Sequence, residues 1–469
     1  MELSREKIDS KKEMMLYLLV IMVCLVPLIF HLKIYQIFAL VKASYFKILM
    51  GIAMVIWPVL IFILGFSKDF LKKGALFLPL MVLWTLSFLI STYFGIDPYT
   101  SYFGVYGRFF GSQSMLAGLM LFVAVIDLSS GSFKSVTTLL AISLFFLSIL
   151  GLYALMQFFA FDPFFPQWFI FPFQKVYSLT GNPNFLGNTL AMGLAFTLYF
   201  LISTSSPVIQ KVTALAIFCI LGGILASMTR GAWLGITVGF FVYSYFILHE
   251  KKHDGLLKKI KMIVNPLSFF LILFTLISWT IYLFFEAIDW VLLPLIFIKI
   301  LYSFWPTSFS MKIKNHHFNY QKMVFSMVIF SIICNISFLY FGRDLFLGER
   351  IYSIFAFHKT IRIYLWRDFF PYIKEYFWLG SGPDAYRKAF MPFKSLELAS
   401  FSNEEHDSPH NTILTYWSQT GTIGLMIYLS YILALLIVPL RLLKHLTEEK
   451  KRLLCLSFIY FSATNFVWG

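Results

Sequence analysis

Apolar runs of about 17–25 residues recur from one end of the chain to the other. A helix of that length crosses the hydrocarbon core of a bilayer, where every backbone N–H and C=O must be satisfied within the segment. The runs fall near 14–32, 46–66, 74–92, 114–128, 136–160, 184–203, 212–228, 232–248, 263–285, 290–305, 323–342, 422–440 and 453–469. They predict an all-α, polytopic transmembrane helical bundle of about 12–13 spans. Only 13% of residues are charged, where a soluble domain carries about a quarter. The run from Met14 is long enough to span and lacks a small-residue cleavage site, so no cleavable signal peptide is expected. The last run stops at Trp468-Gly469 without a polar tail, which reads as a short final helix or an interrupted chain.

A net charge of +15 invites a nucleic-acid reading, but the positions of the cations argue against one. With the N-terminus in the cytoplasm, the inside ends gather Arg5, Lys7, Lys11 and Lys12, then the clusters at 68–73, 251–261, 312–322 and 441–452. The short outside loops hold only Lys33, Lys42, Lys47, Arg108, Lys175 and Arg230. This asymmetry is the positive-inside bias of membrane proteins, and no nucleic-acid partner is expected. Lys299, inside the run 290–305, does not fit it. Cys24, Cys219, Cys334 and Cys455 all lie in apolar runs with no close pair, which predicts neither disulfides nor zinc. There is no DxD and no clearly spaced carboxylate pair, so no metal and no cofactor is expected.

The same topology leaves residues of about 343–421 outside as one loop, too polar to span and too long for a plain connector. The expected organisation is transmembrane helices over 1–342, a large outer loop with amphipathic helices over 343–421, and transmembrane helices over 422–469. The candidate chemistry lies at the end of that loop, in SPHNTILTYWSQTGTIG, residues 408–424. Ser408 followed by Pro409 reads as an N-cap with proline at the first helical position, which puts His410 in the first helical turn. A helix N-terminus disfavours imidazolium, leaving a neutral ring that can accept a proton. Gly421 and Gly424 predict a notch on one helix face where a neighbour approaches closely. The plainer reading is an interfacial histidine with a cap and a packing notch; His406 reads as a loop histidine.

Two arginines extend the functional reading. Arg230, in SMTRGAWLG, is either a snorkelling residue or a planar fork for phosphate, and its outside position weakens the first. Arg362 opens RIYLWRDFFPYIKEYFW, in which Ile363, Trp366, Phe369, Phe370, Ile373 and Phe377 predict one apolar face of an interfacial helix kinked at Pro371. Trp366 is four residues from Arg362, within reach of a cation–π contact. The turn GSGPDAYR, residues 380–387, offers backbone amides to an anion, and Asn184 in TGNPNFLGN reads as a helix cap. Aromatic rings in the outer loops 93–113 and 161–183 form an ordinary headgroup belt or the entry of a lipid-linked substrate. One neutral imidazole and two permanent cations on one membrane face suit transfer of a glycan from a polyprenyl diphosphate to a hydroxyl.

On these motifs the chain resembles the O-antigen ligase and O-antigen polymerase (Wzy-like, WaaL-like) superfamily of bacterial envelope glycan transferases, over about residues 90–465. His410, Asn411, Gly421 and Gly424 fit the ligase spacing of His-Asn, nine residues, Gly, two residues, Gly. MTRGAWLG and RIYLWRD match the two arginine segments, GSGPDAY is similar to the Gly-x-Gly-Pro turn, GNPNFLGN to the Asn-Pro-Asn segment, and FGVYGRFFGSQ to the Gly-Arg-x-x-Gly loop that holds Arg108. Asp384, after the Gly-Pro turn, departs from the family pattern. The resemblance implies a GT-C-like, metal-independent, inverting transferase in the bacterial inner (cytoplasmic) membrane, with its active site on the periplasmic face. The donor would be an undecaprenyl-diphosphate-linked glycan, the acceptor a glycolipid such as lipid A-core, a glycan or a protein, among membrane lipids. It implies catalytic roles for His410, Arg230 and Arg362, and substrate contacts for both arginines with Asn411, Trp366, Asn184 and Arg108. A repeat-unit polymerase and a protein O-oligosaccharyltransferase remain alternatives. A lipid-linked glycan transporter would instead predict paired charges near the bilayer midplane.

Overall fold

Among the described residues the apolar runs become helices, and proline and asparagine mark where several of them start. A computed structural model describes residues 2–32, 37–64, 77–129, 132–165, 175–204, 206–249, 361–401 and 405–468. The expected spans 263–285, 290–305 and 323–342, with Lys299 and the first part of the outer loop, lie outside the described residues. The described helices are α1 (Glu2–Leu25), α2 (Ala39–Leu64), α3 (Phe77–Phe94), α4 (Pro98–Phe103), α5 (Ser112–Leu128), α6 (Phe133–Phe158), α7 (Pro183–Ser203), α8 (Pro207–Ser227) and α9 (Arg230–His249). After the outer loop resumes come α10 (Ile361–Glu375), α11 (Tyr386–Phe390), α12 (Leu396–Phe401), α13 (Thr412–His445) and α14 (Glu449–Trp468). No strand occurs among the described residues. Six of these helices, α2, α3, α6, α7, α8 and α13, are long and apolar enough to cross a membrane, and α5 is a shorter apolar helix. The protein is an all-α polytopic membrane protein.

Three of the described helices begin on proline, whose fixed φ suits the first turn and whose missing N–H leaves no orphan there. Asp97 caps α4 by accepting from the Thr100 amide at 3.0 Å. At α7 the cap is Asn182, accepting from the Asn184 amide at 2.8 Å, so the sequence reading of Asn184 as the cap is corrected by two residues. Pro183 at the first helical position selects the residue before it as cap.

The described chain forms two compact units, one of residues 1–143 and 358–438, the other of 144–357 and 439–468. In the first, α5 packs on α1, α2 and α3. One end is joined by Asp127, which lies 3.9 Å from Lys12 Nζ and accepts from the Trp57 indole at 3.1 Å. At the other end Lys47 donates to the Phe103 carbonyl at 3.3 Å, and the Ile96 amide to the Ser381 carbonyl at 3.1 Å. The loops around 95–110 and 380–410, which the cation positions assign to one side, therefore share one end of this unit.

In the second unit α7 packs on α8 and α14 on α9. Small residues set the approach: a Cβ on Gly151 of α6 would overlap the Cys219 carbonyl of α8, and one on Gly239 of α9 would meet Tyr460 of α14 at 3.0 Å.

Candidate functional site

The helix after the outer loop starts later than Ser408-Pro409 suggests. Asn411 is the cap: its Oδ1 accepts from the Leu414 amide at 3.1 Å, and its carbonyl from the Thr415 amide at 2.8 Å. Asparagine caps as well as serine does, and it wins here because the Pro409 carbonyl is engaged elsewhere. His410 thus lies outside the helix, with φ +51° in the left-handed region, uncommon for a residue with a side chain. The paired-glycine notch is corrected too. Gly421 breaks the helix with φ 64° and ψ −169°, a conformation open essentially to glycine alone. A Cβ there would overlap the Trp378 carbonyl, whereas Gly424, past the break, faces Ser87 of α3 at 3.2 Å.

That break joins three distant segments. The Thr422 amide donates to the Phe377 carbonyl at 2.8 Å, the Ser381 amide to the Ser418 carbonyl at 2.8 Å and the Gly382 amide to the Gln419 carbonyl at 3.3 Å. Ser91 of α3 donates to the Gln419 carbonyl as well. The amides of Gly380, Ser381, Gly382 and Ala385 are all spent on backbone carbonyls, so these four serve the turn as a structural joint.

Helix α10 buries Leu365, Asp368, Phe369, Tyr372 and Ile373, the i, i+3, i+4, i+7, i+8 stripe of a packed helix. Of the six residues expected on one apolar face, Phe369 and Ile373 belong to this stripe, whereas Ile363, Phe370 and Phe377 are exposed, at 41%, 58% and 38%. The stripe that is buried is the one holding Tyr372, which reaches the Ser381 hydroxyl at 2.8 Å and packs against Tyr386 and Phe390. The expected Arg362–Trp366 stacking is replaced on this helix by Arg367 over Tyr364, at 5.4 Å. The Trp366 indole N–H donates to the Pro409 carbonyl at 2.8 Å, so α10 holds the loop one residue before His410.

Arg108 holds the same loop from the other side. Its Nη1 donates to the Asp407 carbonyl at 2.8 Å and lies 3.7 Å from the Asp407 carboxylate. Its Nε lies 3.9 Å from Asp384. Asp384 is buried and its Oδ2 accepts from the amides of Val105 and Phe110, at 3.2 and 2.9 Å. Burial pushes the Asp384 carboxyl up from the ordinary aspartate range, against the pull of Arg108 and the two amides. The residue that departs from the family pattern is therefore the strut of the Arg108 loop; a lone Asp after Gly-Pro gave no sign of it.

His410 is exposed at the surface of the unit, yet its pKa is held below the ordinary histidine value, first by partial desolvation and then by the charges of Arg362 and His406. Its neutral form is thereby favoured, although the residue is not in the first helical turn. The His406 and His410 rings stand edge to face at 6.2 Å. Arg362, Trp366, Arg108, His410 and Asn411 are thus brought together in the first unit. Of these, Trp366, Arg108 and Asn411 have partners that position the loop. Among the described residues no three His, Cys, Asp or Glu side chains converge to hold a metal ion.

Asn184 and Arg230 belong to the second unit, where their turns meet. Thr229 Oγ1 donates to the Pro183 carbonyl at 2.9 Å, and a Cβ on Gly187 would meet Thr229 at 2.8 Å. Met228, at φ 50°, ends α8, and Arg230 begins α9 half-buried. Asn184 is exposed in the first turn of α7.

Residues 215–429 match a family model, Wzy_C, described as O-antigen ligase. The matched stretch contains Arg230, Arg362 and the whole of His410 to Gly424. No curated protein matches the chain.

Proposed function

Because the chain belongs to the O-antigen ligase/polymerase superfamily of membrane glycan-modifying proteins, we propose that it transfers a glycan from a polyprenyl-diphosphate carrier to an acceptor hydroxyl, as a ligase. The observation that carries this reading is His410: a left-handed, neutral-biased imidazole fixed between two braces, beside a permanent cation.

The chemistry follows from those groups. The acceptor O–H gives its proton to the neutral His410 ring as the oxygen attacks the anomeric carbon. The bond from that carbon to the diphosphate oxygen breaks, and the electron pair leaves with the diphosphate, which suits inversion at the anomeric centre. Arg362 offsets the growing charge on the leaving group. The resemblance assigns Arg230 to the same diphosphate. An undecaprenyl carrier and a lipid A-core acceptor, at the outer face of a bacterial inner membrane, are the substrates and setting that this reading expects.

The test is reconstitution with a defined lipid-linked donor and candidate acceptors, with products read by mass spectrometry. His410→Ala is expected to lower transfer by about 100-fold or more, the scale of a lost general base, with unchanged yield of folded protein. Undiminished transfer would remove His410 from the mechanism. Growth of the glycan on its own carrier, with no acceptor used, would mark a polymerase, and movement of lipid-linked glycan without bond formation a transporter.

A further inference from the structure

A cleft of ≈ 690 Å³ opens in the first unit beside the Arg108 loop, within the roughly 300–1,000 Å³ typical of small-ligand sites. One wall is aromatic: Tyr99, Phe103, Tyr106 and Phe109. Tyr99 and Tyr106 are 75% and 58% exposed, so their rings are open to a ligand. The facing wall carries Arg387, Lys388 and Glu405.

The charges on this wall are paired. Arg387 binds Glu405, and Lys388 binds Asp97, whose carboxyl is held down to about 2 first by that lysine and then by the Thr100 amide. Lys47, at the floor, donates to the Phe103 carbonyl at 3.3 Å and stands 5.8 Å over the Phe109 ring. An anion would find Arg387 and Lys388 already matched by carboxylates, and Lys47 engaged by a carbonyl and a ring face. A neutral polyol fits better: every hydroxyl both donates and accepts, as guanidinium–carboxylate and ammonium–carboxylate pairs do together. The apolar C–H face of a pyranose would lie against the tyrosine rings, burying carbon against carbon and setting the C–H edges on the negative ring faces.

The cleft is continuous with the candidate site along the chain. Glu405 is in its wall, His406 follows, and the His406 ring meets that of His410. Val105, Tyr106 and Phe109 are cleft residues of the loop from which Arg108 reaches Asp407.

We propose that this cleft binds a neutral sugar segment of the acceptor, with Tyr99 and Tyr106 as its stacking platform and the Arg387–Glu405 and Lys388–Asp97 pairs as its hydroxyl-binding edge. It rests on the transferase reading above and assigns that reading's acceptor subsite. The subsite determines acceptor affinity and takes no part in breaking the donor bond.

The experiment uses the full chain in the reconstituted transfer assay, varying acceptor and donor concentrations separately. Tyr99→Ala and Tyr106→Ala together are expected to raise the acceptor KM about ten-fold, the loss of two ring contacts. Donor KM and the kcat at saturating acceptor should stay within about two-fold, less than one weak contact is worth. Glu405→Gln should raise the acceptor KM in the same direction. Both tyrosines are exposed, and a monodisperse elution profile matching wild type would confirm that the variants are folded. An unchanged acceptor KM, or a raised donor KM with acceptor KM fixed, would overturn the assignment while leaving the transferase reading in place. If the wild-type protein formed no glycosidic bond with any acceptor, the transferase reading itself would fail and the subsite with it.

Discussion

Two buried carboxylates, Asp162 and Asp384, do the same structural task in different ways. Asp162 gathers its partners from nearby sequence: the amides of Phe164 and Phe165, each at 2.9 Å, the Gln157 side chain at 2.7 Å, and the Tyr153 hydroxyl. Gln157 passes the link on by accepting from the Ser178 amide at 2.7 Å, which fixes the approach to the Asn182 cap. Asp384 instead reaches back 274 and 279 residues, to the amides of Phe110 and Val105, and through Arg108 to Asp407. The first makes a turn. The second joins three loops that meet only when the whole unit is folded, and His410 is seated among them. Rigidity around Asp162 is thus local, whereas at the His410 side it is made by long-range closure.

The sharpest way to break this comparison is at the glycines that hold each unit together. Gly421→Ala puts a side chain where φ is positive and where it would overlap the Trp378 carbonyl, so neither strain nor clash can be relieved locally. A loss of about 4 kcal/mol or more is expected, seen as failure to yield folded protein or a large drop in melting temperature in detergent. Gly151→Ala meets the Cys219 carbonyl as closely, but from an ordinary helical φ, so it carries the clash without the backbone strain. Its expected cost is smaller, about 1–3 kcal/mol. Equal melting temperatures for the two variants would mean that the Gly421 joint is not a constraint.

The carboxylates come next. Asp384→Ala leaves two amides without their acceptor and removes a partner of Arg108, at about 1–3 kcal/mol per orphaned buried group. Asp162→Ala strands a comparable set of donors. Similar losses in thermal stability are expected. Transfer should separate them: Asp384→Ala is expected to lose about 100-fold at a temperature where both variants are folded, because a displacement near 1 Å at the chemistry carries that scale of penalty. Asp162→Ala should stay within about ten-fold, since the Pro183–Thr229 contact still holds the Arg230 turn. Equal transfer by both would show that His410 does not depend on the long-range brace.

This difference also explains what could be read from the sequence. The apolar runs are local signals, and those among the described residues produced helices close to where they were expected. The motif residues His410, Arg362 and Trp366 were likewise visible as residue types. Their arrangement was not. The choice of Asn411 over Ser408 as cap depends on Trp366 taking the Pro409 carbonyl, an event 43 residues away. The break at Gly421 depends on the approach of Trp378, and the buried face of α10 on Tyr372 finding Ser381. Nothing in an isolated window distinguishes Asp384 from a solvated loop aspartate. Spacing rules see neighbours on one helix; they do not see which backbone will occupy the space beside it.

The smallest expected effect is a displacement along the pH axis, and it isolates the electrostatics of the histidine from its bracing. His410 is held below the usual value of about 6.5, by desolvation first and by Arg362 next. In the proposed reaction only the neutral ring accepts the acceptor proton, so kcat/KM should fall on acidification with a limb lying below that of an ordinary histidine. Arg362→Gln removes a nearby positive charge, which makes protonation easier and raises the pKa. The acid limb should therefore move to higher pH. Transfer at the plateau also drops, because the same cation is proposed to hold the diphosphate, but the position of the limb is independent of plateau height. Arg367→Gln, on the same helix and tied to Asp368 and Glu397, should leave the limb where it was. A limb that stays put in Arg362→Gln, or moves to lower pH, would mean that the group titrating in the rate is not an imidazole beside that guanidinium.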